Sequence, residues 1–186
     1  MKTFNKILMG LVILTGIFSL ASCDKIESLA DVHFDTNLIA DLNVAVSGES
    51  KKSTVTESYY FNESVSVDPK DDPDIEEYFD KLKGYKVNDV TGTIKSVTGG
   101  PVTITNATLR ISSGDISASW DIPEFVVEKG ASLTLGNDEG QWDDLQKVLN
   151  EKKLFTVSVE GHADKGGVVF LLSVDMAVTV TANPLK

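Results

Sequence analysis

The residue with the most distinctive chemistry in this sequence is Cys23, the only cysteine among 186 residues. It follows Leu20, Ala21 and Ser22 at the end of a largely apolar run, 7–20, which two lysines precede. Small side chains fit the narrow cleft of a signal peptidase, and the thiol is the only nucleophile available here for alkylation. A basic start, an apolar run and small residues at the end are typical of a secretory signal.

The residue types that carry out hydrolysis, group transfer or redox chemistry are otherwise scarce or badly spaced. Only two histidines occur: His33 lies on the polar side of a predicted strand, and His162 in a predicted hairpin turn. The sequence contains no Gly-rich phosphate loop, no Gly-x-Ser-x-Gly and no His-Glu-x-x-His motif. Its one arginine, Arg110, gives little capacity for bidentate binding of phosphate. We therefore expect no catalytic residues, no cofactor and no enzymatic activity.

Leu20-Ala21-Ser22-Cys23 resembles the lipobox of bacterial lipoproteins, in which a peptidase cuts before the cysteine and the sulfur carries diacylglycerol. The resemblance implies that residues 1–22 are a signal peptide that is removed, and that Cys23 is lipidated. Acyl chains such as palmitate contribute about 0.8 kcal/mol per buried methylene, and two chains give stable anchoring. The alternative is an ordinary signal peptide with a cysteine near the cut by accident. A run of this length is shorter than the roughly 18 residues of a membrane-spanning helix.

The mature chain from Cys23 has 164 residues, which suits a short lipidated tether, 23–31, and a single domain, 32–186. The signal carries two of the 17 basic residues and none of the 28 acidic ones, so the mature formal charge is −13. This charge repels phosphate backbones, so nucleic acid is not an expected partner. The whole resembles small lipoproteins of unknown function in Bacteroidota. That implies the outer membrane of the cell envelope, in either leaflet.

Alternating apolar and polar residues predict an all-β fold, either an antiparallel β-sandwich or a strongly curved sheet, with about eight strands and two short helices. The first strand, 32–46, and the run 55–67 read as a hairpin. A change of phase between Ile104 and Ala107 predicts a β-bulge near Thr105 or Asn106. The last strand, 167–182, is long enough to lie centrally, between the first strand and 155–159.

Six carboxylates and one lysine occupy 68–77, and the pattern there is that of a helix start. Asp72 is a good N-cap before a helix that Gly84 would end. A calcium site is the alternative, with weak candidate ligands at Asp71, Asp72 and Asp74, but the spacing of a known calcium loop is missing. A second helix is predicted from Asn137 onward.

Three functional classes remain open. The first is a non-catalytic, membrane-anchored subunit that binds a protein partner at the outer membrane. The second is a glycan-binding surface module, and the third is a hydrolase. Aromatic residues that could stack on sugars suggest the second class, although the two tryptophans follow apolar periodicities and fit the core better. These aromatic residues are Tyr59, Tyr60, Tyr85, Trp120 and Trp142. The ligand-binding residues are not defined by any motif.

Overall fold

The computed structural model describes residues 30–48, 51–52 and 57–185. Seven strands of seven or more residues form most of this part of the chain: β1 (Val32–Ala45), β3 (Glu57–Val67), β4 (Leu82–Thr98), β5 (Val102–Ser113), β6 (Ile116–Ile122), β9 (Phe155–Ala163) and β10 (Val169–Ala182). Three shorter strands are β2 (Lys51–Lys52), β7 (Phe125–Val127) and β8 (Ser132–Thr134). The α-helices described are α1 (Pro73–Glu76) and α2 (Gln141–Asn150).

These strands form two antiparallel sheets that pack face to face as a β-sandwich, which confirms the predicted fold class. Sheet I has the order β1-β10-β4-β8, and sheet II has the order β2-β3-β9-β5-β6 with β7 beside β5. Inward-facing Val, Leu, Ile and Phe side chains of both sheets form one buried cluster. An aligned pair of sheets with alternating inward residues is the usual way to bury two apolar faces.

The last strand is central, as its length predicts, but one of its two neighbours differs from the prediction. β10 pairs with β1 along its whole length, from Val32 opposite Ala182 to Ala45 opposite Val169. Its other neighbour is β4, whereas the run 155–159 lies in sheet II as part of β9. The chain between β9 and β10 is therefore a crossing between sheets and not a hairpin turn.

The predicted hairpin between 32–46 and 55–67 is also wrong, for the same physical reason. The Val46 amide donates to the Val168 carbonyl beside sheet I, while the next amide, Ser47, donates to the Tyr60 carbonyl in sheet II. The chain therefore leaves one sheet and enters the other within two residues. Alternation identifies which face of a strand is buried, but it does not identify the sheet that the strand joins.

The first predicted helix is wrong in extent. Asp68 and Asp72 cap two separate short turns, a 3-10 turn at Pro69–Asp71 and α1. A second 3-10 turn, Phe79–Lys81, leads directly into β4, so Gly84 lies inside a strand and ends no helix. Pro69 and Pro73 each stand at the start of a turn, where proline is tolerated, so they do not interrupt the predicted helix. The interruption comes at Tyr78, whose backbone (φ −111°, ψ 5°) leaves the helical region.

The second helix begins later than predicted. α2 starts at Gln141, and the Asn137 side chain accepts a hydrogen bond from the Trp142 amide at 2.8 Å. Its buried residues Leu145, Val148 and Leu149 close one end of the space between the sheets.

Candidate ligand-binding groove

The outer face of sheet II carries an open groove of about 880 Å³, within the usual size range of ligand sites. It lies over β3, β9, β5 and β6. The lining residues are Tyr60, Asn106, Ala107, Thr108, Asp121, Ile122, Pro123, Glu160, Gly161 and His162. We refer to this surface as the groove.

Cross-strand register brings an aromatic ring, an imidazole and an amide into one row of the groove. Tyr60 on β3 lies opposite His162 on β9, and His162 lies opposite Asn106 on β5. The rings of Tyr60 and His162 meet edge to face, with centroids 5.5 Å apart. The His162 Nδ1 atom is 3.2 Å from the Asn106 Oδ1 atom, and the Tyr60 hydroxyl donates to Glu160 Oε2 at 3.2 Å.

The next row toward the middle of the sheet holds two carboxylates with a hydroxyl between them. Thr108 on β5 lies opposite Glu160 on one side and opposite Asp121 of β6 on the other. Its hydroxyl donates to Asp121 Oδ1 at 3.1 Å. The side chains of both rows are therefore oriented by bonds to one another, which reduces the ordering that a ligand must impose.

Two irregularities of the sheet meet at the groove. β5 shifts its register against β9 between Ile104 and Asn106, so the predicted bulge is confirmed. On the other side of β5, Pro123 and Glu124 separate β6 from β7, because proline cannot donate to a sheet ladder. The bulge bends β5, and the break in pairing between β6 and β7 beside it leaves a space that a regular strand would fill.

Gly161 lets β5 approach β9 closely at this bulge. A Cβ atom at this position would lie 2.4 Å from the Asn106 carbonyl oxygen and 2.7 Å from the Ala107 Cα atom. Both of these are backbone atoms, so no side-chain rotation could relieve the contact. Gly161 has the core-facing parity of β9, and its missing side chain permits this close approach of the two strands beneath the groove.

A second depression of about 310 Å³ continues along the same sheet face. It shares Thr108 and Glu160 with the groove, and its other lining residues are Asn62, Arg110, Ser119 and Ser158. Neither Lys nor Arg is among the described residues that line the groove itself, whereas Asp121 and Glu160 are both there and both exposed. The groove thus presents negative charge to solvent.

Several residues singled out from the sequence lie elsewhere. Cys23 and the lipobox residues Leu20, Ala21 and Ser22 fall outside the described residues. The described chain begins at Ala30. The next residue, Asp31, forms a salt bridge with Lys83 at 2.8 Å and accepts a hydrogen bond from the Asn183 side-chain amide at 3.0 Å. The hydrogen bond from Lys83 lowers the pKa of the Asp31 carboxyl below its ordinary value.

The candidate calcium ligands have a local structural role or lie at the surface. Asp72 accepts hydrogen bonds from the Asp74 and Ile75 amides and from the Thr36 hydroxyl, so it caps α1 and ties it to β1. Asp71 and Asp74 are exposed. Among the residues that the structure describes, no group of three or more His, Cys, Asp or Glu side chains is placed to hold a metal ion.

The two histidines differ in how well their positions were predicted. His33 lies on the polar side of β1, as expected, with Nδ1 3.0 Å from the Thr181 hydroxyl. The assignment of His162 to a turn is wrong, because β9 continues to Ala163 and places His162 in the middle strand of the groove. The glycine-rich segment after it is the crossing between the two sheets.

The aromatic residues that suggested sugar stacking are mostly in the core. The Trp120 and Trp142 indoles donate to the carbonyls of Gly136 and Leu135, at 2.7 and 2.9 Å. Tyr85 is buried, and this burial raises the pKa of its hydroxyl to about 12. Tyr59 is half-buried and packs against the core. Tyr60 remains, with 37% of its surface exposed in the groove.

A second polar area lies on the outer face of sheet I. Asp175 is at its centre, and its Oδ1 atom is buried without a hydrogen-bond partner among the described residues. Loss of hydration raises the pKa of this carboxyl, Lys95 opposes the shift, and Asp89 adds to it. This area is narrower and more mixed in charge than the groove.

Sequence reasoning missed Asn106, Thr108, Asp121 and Glu160. Two features of the sequence could have pointed to this surface: the outward-facing polar residues on four strands, and the change of phase near Asn106. The order of those strands was missing, and it alone decides which polar residues become neighbours.

Within the described part of the chain, no helix has both the length and the apolar character needed to span a bilayer. No protein-family model matches the sequence, and no curated protein matches it.

Solved structures with some likeness to this chain include two proteins of low sequence identity. One is a candidate secreted protein of Parabacteroides distasonis, with a TM-score of 0.44 and 11% identity over 76% of this chain and 49% of that one. This chain therefore spans about half the length of that protein. The other, from Desmodium yellow mottle tymovirus, has a TM-score of 0.34 and 8% identity over 83% and 85% of the two chains. Because both scores are below 0.5, neither likeness carries an inference about function.

Proposed function

We propose that this protein is a non-catalytic lipoprotein, anchored by Cys23 at the outer membrane, that acts as a binding or accessory subunit in the cell envelope. The anchor rests on the sequence Leu20-Ala21-Ser22-Cys23 and the apolar run before it. In this proposal the groove is the binding surface, and the lipid is the contact with the membrane.

The observation that carries the proposal is that the described chain starts beside one end of β1, whereas the groove lies toward the other end. The tether enters β1 at Val32, beside Lys83 and Asn183, which hold Asp31. The groove row that contains Tyr60 lies beside the other end of β1, where Ser47 bonds to the Tyr60 carbonyl. β1 has 14 residues, which at about 3.4 Å per residue separates its ends by about 44 Å. The end of β1 at which the tether joins the domain therefore lies far from the groove.

The exposure of the two groove carboxylates supports a binding role. Asp121 and Glu160 are both exposed and face an open groove. Their hydrogen bonds to Thr108 and Tyr60 orient them as acceptors for a ligand.

The anchor is tested by membrane fractionation of the full chain and of Cys23→Ala. We expect the wild type to stay with the membrane after a salt wash and the variant to be released. A variant that sediments with the membrane and resists the salt wash would contradict the lipid anchor.

The orientation is tested with single cysteines, because lipidation uses the only native thiol. Lys86 and Thr98 are both exposed on β4. Their partners on β10, Thr179 and Val169, are ten steps apart, which corresponds to about 34 Å. In the lipidated protein in vesicles, a fluorophore on Lys86→Cys should be quenched by headgroup-labelled lipid, and one on Thr98→Cys should not. Equal quenching at the two positions would contradict the orientation.

A further inference from the structure

We propose that the groove binds a neutral saccharide of more than one ring, an inference that rests on the proposed function as a binding protein. The ligand is identified by the hydrogen-bonding character, the aromatic surface, the charge and the shape of the groove. Each of these properties comes from side chains that are already ordered.

The polar groups of the groove fit hydroxyl groups better than they fit ions. Asn106, Thr108, Tyr60 and His162 each offer both donor and acceptor capacity. A sugar hydroxyl also donates and accepts, so it can use both. A metal ion or an ammonium group would use acceptors only, and an anion would use donors only.

The carboxylates add acceptors without losing their existing partners. Asp121 accepts one bond from Thr108, and Glu160 accepts one from Tyr60. A carboxylate has about four lone-pair sites, so each can accept further bonds from a ligand. Hydrogen bonds to an ionised acceptor are roughly twice as strong as those between neutral groups, which favours a ligand rich in hydroxyl donors.

Tyr60 supplies an aromatic surface at the end of the groove that lies far from the tether. Its ring is fixed by the edge-to-face contact with His162 and by the hydroxyl bond to Glu160. The C–H face of a sugar ring is apolar and packs on an aromatic face while its hydroxyls reach polar neighbours. Pro123 and Ile122 contribute apolar surface among the other lining residues.

The charge of the groove excludes the acidic classes of saccharide. Asp121 and Glu160 repel uronates, sulfates and phosphates, and they outnumber Arg110, the cation that lines the second depression. The mature charge of −13 adds a repulsive field. Neutral sugars carry no such penalty.

The length of the ligand follows from the second depression. It continues from the groove across Thr108 and Glu160, and Asn62, Ser119 and Ser158 add amide and hydroxyl groups there. A chain of sugar rings can therefore lie across both depressions, with Glu160 and Thr108 contacting its middle.

The test uses the full-length lipidated protein in vesicles and isothermal titration calorimetry. The probes are neutral hexasaccharides built from glucose, galactose or mannose, a hexauronate, and a lysine-rich hexapeptide. We expect binding to at least one neutral hexasaccharide and to neither charged probe. Binding only to the hexauronate or the peptide, or to no probe at all, would overturn the proposal.

Variants of the groove locate the binding. Tyr60→Ala should weaken it about tenfold, since the aromatic contact with the sugar ring and the hydroxyl bond to Glu160 are both lost. Tyr60→Phe keeps the ring and should lose less. Asp121→Asn changes one exposed atom, so it probes the acceptor with little risk to folding, and it should also weaken binding. Glu128→Gln is the matched control, because Glu128 is exposed outside the groove.

Equal affinity of Tyr60→Ala, Asp121→Asn and Glu128→Gln would place the saccharide elsewhere and overturn the assignment to the groove. The outcome is separable from the test of the proposed function. Fractionation and lipid quenching report the anchor and the orientation without any saccharide. Loss of membrane attachment with intact binding would refute only the anchor, and intact attachment without binding would refute only the ligand.

Discussion

Replacement of Gly161 by alanine tests the close approach of β5 to β9 beneath the groove. Alanine in a strand interior is favoured over glycine by about 0.5–1 kcal/mol because glycine loses more backbone entropy on folding. Against this, the new Cβ atom would lie 2.4 Å from the Asn106 carbonyl oxygen and 2.7 Å from the Ala107 Cα atom. Overpacking of this kind costs about 1–3 kcal/mol, and the upper half applies because both contacts are to backbone. The net effect is a loss of about 2 kcal/mol.

For a domain of this size, each kcal/mol lowers Tm by about 2–4 °C, so Gly161→Ala should lower it by about 4–8 °C. Urea unfolding followed by circular dichroism gives the free energy independently. Gly48→Ala is the control, since Gly48 is exposed and a Cβ atom there has nothing within 4 Å. It should leave stability unchanged or raise it by up to about 1 kcal/mol. If Gly161→Ala were as stable as the wild type, the close approach of the two strands would be wrong.

The remaining predictions concern the core, a buried carboxyl and the acidic segment. Phe170→Ala should cost about 3–5 kcal/mol, because its buried ring contacts Phe61 of the other sheet, with 6.2 Å between ring centroids. The control Val169→Ala should cost little, since Val169 is exposed. A loss below about 1 kcal/mol for Phe170→Ala in urea unfolding would place Phe170 outside the core. The raised pKa of Asp175 favours its neutral form in the fold, so stability is lost as pH rises through that pKa. Asp175→Asn should therefore be more stable than the wild type at pH 7 and equally stable below about pH 4. A difference in stability that does not depend on pH would refute the titration of Asp175 as its cause. Chelation with EDTA should leave Tm unchanged. A fall would show that the fold holds a stabilising ion, and a smaller fall in Asp71→Asn and Asp74→Asn would then assign that ion to 68–77.

Local sequence patterns predicted the strands themselves well. β1 begins at Val32 as expected, and the eight alternating apolar positions from Val168 to Ala182 are all buried. Prediction was poorer where competing local signals met. The helix predicted from Asp72 to Gly84 is too long, because Asp72 caps only the short helix α1 and a separate 3-10 turn follows.

The placement of each strand in a sheet could not be predicted from the same patterns. A polar loop or a glycine-rich segment can either reverse the chain within one sheet or carry it across the sandwich. At Ser47 and again at 164–168 the chain crosses, and the close contacts that permit this involve Gly166. A Cβ atom there would lie 2.3 Å from the Ser47 carbonyl oxygen.

The sequence by itself determined the secretory signal pattern with its single cysteine, the all-β class and the buried face of each long strand. These depend on residue type and on a period of two, which are local properties. The tertiary structure alone decided that Tyr60, Asn106, Asp121 and His162 share one surface, although up to about a hundred residues separate them. Backbone hydrogen bonds between strands set that arrangement, and the register of a strand depends on its partner, which the strand's own sequence does not specify.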